Sequence, residues 1–152
     1  MKTLRTLRIL HLAVLAEALI FFGIVLVLIR DVSLVWINEE NPSLYMTGVM
    51  IAVILALCAF IVPRMMLSNA RAGETRQDMI RSYLTIGIVR MAFVDAGMTV
   101  AIVFFYVGRE WIFAIIFFFL CLIHIGMFPT KARMEREMEM NFEKEEEDEF
   151  ND

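Results

Sequence analysis

The chain reads as an all-α integral membrane protein. The expected architecture is a four-helix bundle made of two consecutive helical hairpins, with both termini on the cytoplasmic side. Three observations carry this reading. Of the 152 residues, 60% are apolar and the mean hydropathy is +0.70, against roughly 45–50% apolar residues in soluble domains. The apolar residues fall into four long runs, each close to the ~20 residues that a hydrocarbon core about 30 Å thick requires. The basic residues gather on one side of those runs, which is how transmembrane segments are oriented.

The four runs are Leu7–Ile29, Tyr45–Val62, Tyr83–Val107 and Trp111–Phe128. Inside lipid every backbone N–H and C=O must be bonded within the segment, so continuous apolar runs predict helices. A transmembrane β-barrel would instead show alternation over about ten residues. Lys2, Arg5 and Arg8 precede the first run. Arg64, Arg71, Arg76 and Arg81 lie between the second and third, and Lys131, Arg133, Arg136 and Lys144 follow the fourth. Only Arg30 and Arg109 lie on the opposite side. Tyr45, Tyr106 and Trp111 fall where an aromatic belt would place them. The first run has the basic start of a signal peptide, but it far exceeds an apolar region of about 7–15 residues and no small-residue cleavage site follows. It is read as a retained helix. Residues 1–129 therefore form the membrane domain.

Residues 130–152 form an acidic tail. They hold ten acids and four bases, a charge of −6, while residues 1–129 carry +2. Nothing in the chain is basic enough for a nucleic-acid binder. In the tail, Met134, Met138 and Phe142 recur every four residues, which predicts a short helix with one apolar stripe. The run Glu143–Glu149 is self-repelling and is expected to be disordered. Two readings follow: a solubilising tail, or docking onto a basic cytoplasmic partner with the Met134/Met138/Phe142 stripe as its anchor.

The chain looks like two hairpins in series. The first span has His11 followed by Glu17, and the third has Arg90 followed by Asp95. The second and fourth spans both close on proline and a basic residue, in Val62-Pro63-Arg64 and Phe128-Pro129-Thr130-Lys131. Proline is expected to end both helices. Residues 30–44 are an outer loop, and Gly108-Arg109-Glu110 is a tight outer turn. The inner loop 64–82 holds a candidate surface helix over Glu74–Arg81.

Ionisable residues inside spans are the candidate functional residues, because each charge costs at least about 2.5–3.5 kcal/mol at mid-helix. They are Glu17, Arg90, Asp95, His11 and His124. Glu17 and Asp95 fall near the midplane. Arg90 and Asp95 are five residues apart, about 140° around one helix, so they do not face each other well. Arg90 is expected to reach Glu17 across the first and third spans. Three roles fit such a cluster: ion pairs that fix helix register, a proton or cation path, or a charge that meets a partner subunit. The small residues Gly48, Ala52 and Ala56, and Ala92 and Ala96, mark places of close helix approach. Their default use is packing within one chain.

The catalytic and cofactor signals are absent. There is no phosphate-binding loop, dinucleotide loop, zinc-protease motif or nucleophile elbow. Cys58 and Cys121 sit in different spans without metal-ligand spacing, so they read as packing residues. Two histidines at similar depth leave bis-imidazole ligation of a haem open. The expectation is no cofactor and no metal.

The segments Leu4-Arg5-Thr6-Leu7-Arg8-Ile9-Leu10-His11, Ile88–Gly97 and Phe128-Pro129-Thr130-Lys131 together resemble a family of small four-span bacterial inner-membrane proteins of uncharacterised function. That resemblance implies a bacterial cytoplasmic membrane and no assigned activity. There is a weaker similarity to rotary-ATPase proteolipids, which are hairpins with a midmembrane carboxylate. Here the acids lie on the first and third spans, and the glycine-rich helix is missing. The expectation for function is a non-enzymatic, partner-binding or structural subunit of a membrane assembly, contacting lipid and either a membrane-protein partner or copies of itself. The alternative is a proton- or cation-conducting component.

Overall fold

The computed structural model describes residues 2–36, 42–70 and 76–138. The described residues form five helices: α1 (Lys2–Leu28), α2 (Pro42–Ala70), α3 (Arg76–Gly108), α4 (Trp111–Gly126) and α5 (Lys131–Met138). Three stretches are long and apolar enough to cross a membrane: Leu4–Leu28, Pro42–Ser68 and Asp78–Gly108. At 1.5 Å per residue, α4 is only about 24 Å long. It joins the candidate spans only together with α5, across a bend of 83°. The protein thus has three to four candidate spans.

The two prolines behave differently. Pro63 was expected to stop its helix, yet α2 runs through it to Ala70. Proline inside a helix removes one backbone hydrogen bond, but the Pro63 ring is fully buried and neighbouring packing keeps the helix continuous. Pro129 does fall at a break. The α4 helix closes at Gly126, with the Met127 N–H donating to the carbonyls of Ile123 (3.1 Å) and His124 (3.0 Å). Of the expected surface helix over Glu74–Arg81, the described part from Arg76 is the first turns of α3, with Asp78 in the first turn, where an acid complements the helix dipole; Glu74 and Thr75 lie outside the described residues.

The packing is not that of two separate hairpins. Helix α3 is the hub, in contact with α2, α4, α1 and α5. Among the described residues, α1 packs on α3 rather than pairing with α2. Connection length explains this. Short connections hold α2 beside α3 and α3 beside α4, whereas the longer link from Leu28 to Pro42 lets α1 leave α2.

The core lies between α1, α3 and α4. Val94, Met98, Ala101, Ile102 and Phe105 of α3 face Phe113, Phe117 and Leu120 of α4 and Phe22 of α1. The Phe22 and Phe117 rings stack at 4.4 Å between centroids. Helix α4 therefore has a well-buried face. The small residues of α2 line its contact with the bundle. A Cβ on Gly48 would sit 2.5 Å from the Phe104 ring, Ala52 and Ala59 are buried, and Ala56 packs on the core. On α3, Ala92 is exposed and Ala96 half-buried, so Gly97 and Ala101 make the close contacts there.

The two ends differ. At the end carrying Val35 and Arg109, the chain after α1 is tied to the α3–α4 turn. The Val35 N–H donates to the Arg109 carbonyl (3.0 Å), and the Trp111 N–H donates to the Val35 carbonyl (2.9 Å). Arg109 has φ of 57°, a left-handed conformation that closes this three-residue turn. At the opposite end, which is rich in bases, α5 folds back under the bundle. Met134 is buried with Leu7, Tyr83 and Met91.

Candidate functional site

Each ionisable residue singled out from the sequence has a definite place. Arg90 does not meet Glu17. Its guanidinium pairs with Glu137 at 3.3 Å, and both side chains are largely buried. Arg133, one turn before Glu137 on α5, donates to the same carboxylate at 2.7 Å. The Arg133 guanidinium also donates to the Gly126 carbonyl (3.0 Å), and Arg8 donates to the Pro129 carbonyl (2.9 Å). The bend after α4 makes this possible, since it carries Glu137 back to α3. Arg90 takes the partner nearest its own end of the helix, not the acid deeper in. Met134 is likewise used within the chain, as a plug in the cluster with Tyr83. The side chain of Met138 and all of Phe142 lie outside the described residues, as does the acidic run.

His11 and His124 come together. Their rings stack at 3.8 Å between centroids, 22° from parallel, and Phe128 meets His11 edge-on at 5.3 Å. Both histidines are buried, at 2% and 1% exposure. His124 Nε2 lies 3.1 Å from the His11 carbonyl oxygen. That oxygen only accepts, so Nε2 carries the hydrogen and donates. His11 Nε2 and His124 Nδ1 have no hydrogen-bond partner. Axial ligation of a haem needs both imidazoles pointing at one iron with the porphyrin between them. Rings stacked in contact leave no room for it. Among the described residues, no group of three or more His, Cys, Asp or Glu side chains is placed to hold a metal ion.

The two midspan acids separate by environment. Asp95 is half-buried on the hub helix, within Coulomb range of Glu17 and His124. Glu17 is exposed on α1 and lines a shallow hollow with Ala13, Ala16, Ile20, Phe21 and Ile24. The expected five-residue cluster therefore resolves into three places: Arg90 at the basic end with α5, the His11–His124 stack near Asp95, and Glu17 on the outer surface of α1.

Three acting residues were not foreseen. Glu137 and Arg133 have a signal in the sequence, because a 133/137 spacing is an i,i+4 pair and a buried Arg90 requires a counter-charge. Glu110 is fully buried, with both carboxylate oxygens unpartnered. It sits at the N-cap of α4 without a side-chain capping bond, and only the closed turn at Arg109 makes it interior.

No protein-family model matches the chain, and no curated protein and no solved structure matches it. The fold and these polar residues define a helical protein with three to four candidate membrane spans.

Proposed function

We propose that the protein is a non-enzymatic, partner-binding subunit of a membrane assembly, with both termini cytoplasmic, and that α1 docks a transmembrane helix of another protein. The observation that carries this reading is Glu17. It is an exposed carboxylate near the middle of a candidate span, and another acid, Asp95, lies within Coulomb range of it. A charge facing lipid at that depth costs several kcal/mol. A helix bearing a basic or hydrogen-bond-donating residue at the same depth would remove that cost. Ala13 and Ala16 beside it are small and permit close approach of the two backbones. A second copy of this chain is the weaker occupant, because the bases within its own helices are used internally: Arg90 pairs with Glu137, and both histidines are buried.

A continuous cation path has less support. Glu17 faces outward, Arg90 is neutralised elsewhere, and Glu17 and His11 line different hollows. Native mass spectrometry from mild detergent is the direct test. We expect a hetero-complex whose partner carries a basic or polar residue within a span, and loss of that partner on Glu17→Leu. A monomer or homo-oligomer that Glu17→Leu leaves unchanged would reject the reading.

A further inference from the structure

The His11–His124 stack has atoms that nothing in the bundle uses. His124 Nε2 donates to the His11 carbonyl, which leaves Nδ1 of the neutral ring with a bare lone pair, buried and unpartnered. His11 Nε2 is also buried and unpartnered. Buried polar atoms without partners are uncommon in folded proteins and call for an explanation. Two neutral imidazoles stack without penalty, but two imidazolium ions 3.8 Å apart would repel strongly. The pair thus has capacity for one added proton, not two.

Two further observations say where that proton goes and how it arrives. Asp95 is the acid within Coulomb range of His124, and a lone carboxylate in a membrane interior needs a proton or a cation beside it. A small cleft of ≈ 10 Å³ reaches His11 from the basic end, lined by Tyr83, Gly87, Arg90 and Pro129 among others. That is about the room of one water molecule, with polar groups around it.

We propose that His11, His124 and Asp95 form a proton-binding unit that holds one proton among the three groups and exchanges it through this cleft. The exchange is a simple transfer. A hydronium in the cleft gives its proton to an imidazole nitrogen and remains as water, and release returns the proton to that water, so no electrons move and no co-reactant is required. The surrounding ionisable groups are known. Helix α1 contributes Arg8 and Glu17, α3 contributes Tyr83, Arg90 and Asp95, α4 contributes Cys121, and α5 contributes Arg133 and Glu137. Arg90 and Arg133 are both paired with Glu137, and α2 supplies none of the charges acting on the two rings. Among the described residues, the acid acting directly on the stack is Asp95. The unit stands whether or not Glu17 docks a partner.

The test uses the full chain in lipid nanodiscs with ¹⁵N-labelled histidine, followed by ring-nitrogen resonances across the acid-to-neutral range. The expected result is one joint step in which the two rings together take up a single proton, with the His124 Nδ1 resonance moving and a water cross-peak to His11. In Asp95→Asn the midpoint of that step is displaced by about one pH unit or more. Two rings that stay neutral throughout, or that take up two protons independently, would overturn the proposal. A joint step with an unmoved midpoint in Asp95→Asn would remove Asp95 from the unit. The wild-type titration decides the first point even where the variant does not fold.

Discussion

Glu137 is the residue on which the basic end depends. It neutralises Arg90 from another helix and Arg133 from its own. Removing one partner of a largely buried pair leaves an uncompensated charge, at a cost of about 3–5 kcal/mol in well-buried cases. Here two guanidinium groups, Arg90 and Arg133, lose the same carboxylate, but some solvent reaches the site, so Glu137→Ala is expected to cost about 3 kcal/mol. Arg90→Leu with Glu137→Leu should recover only part of that loss, because Arg90 is then no longer an unmatched charge, whereas Arg133 still loses its carboxylate and keeps the Gly126 carbonyl. Unfolding in mixed detergent, compared across the single and double variants, checks both figures. Arg90 is also where sequence reasoning went astray. The residue type said that a counter-ion must exist, but several acids were eligible. Only the direction of α5 selected Glu137.

At the scale of elements, the short connections have most of the influence. The turn Gly108-Arg109-Glu110 joins α3 to α4 with almost no slack, and it does so by holding Arg109 at positive φ. For a residue with a Cβ this conformation costs roughly 1–2 kcal/mol, and a β-branched residue fits it worst. Arg109→Val is therefore expected to destabilise by about 1–2 kcal/mol, whereas Arg109→Gly should be neutral or slightly stabilising. Thermal unfolding of the two variants gives opposite signs if the conformation, and not the charge, is what matters. Pro63 and Pro129 teach the same lesson. Both follow an apolar run and precede a base, so the sequence treats them alike. One is absorbed within α2 because neighbouring helices hold the backbone around it. The other lies in the bend that sends α5 back under the bundle, and that bend builds the Arg90–Glu137–Arg133 contact.

In the whole molecule, stability comes from the aromatic seam between α1, α3 and α4. Phe117 is fully buried and stacks on Phe22, while the adjacent Phe118 is exposed. In lipid the transfer term that drives burial in water is missing, and packing is what remains. Phe117→Ala should cost roughly 2 kcal/mol, below the ~3–5 of a water-soluble core. Phe118→Ala should cost little. A steric-trapping or detergent-unfolding measurement on the pair tests whether this seam holds the bundle. Similar costs for the two variants would place the stabilising contacts elsewhere.

The sequence by itself determined the helical class, the apolar runs, the one-sided placement of bases and the identity of the rare ionisable residues within spans. Those properties depend on local composition, and a bilayer allows few solutions for a continuous apolar run. It also marked His11, His124, Glu17 and Asp95 as worth attention, since each is costly where it stands. Tertiary structure alone decided which charge meets which, that α1 leaves α2 for α3, that the histidines stack, and that Glu17 faces outward while Glu110 is enclosed. These depend on helix rotation and on a single 83° bend. A rotation of half a turn exchanges lipid for core without changing any local pattern, so no reading of spacing along one chain could supply it.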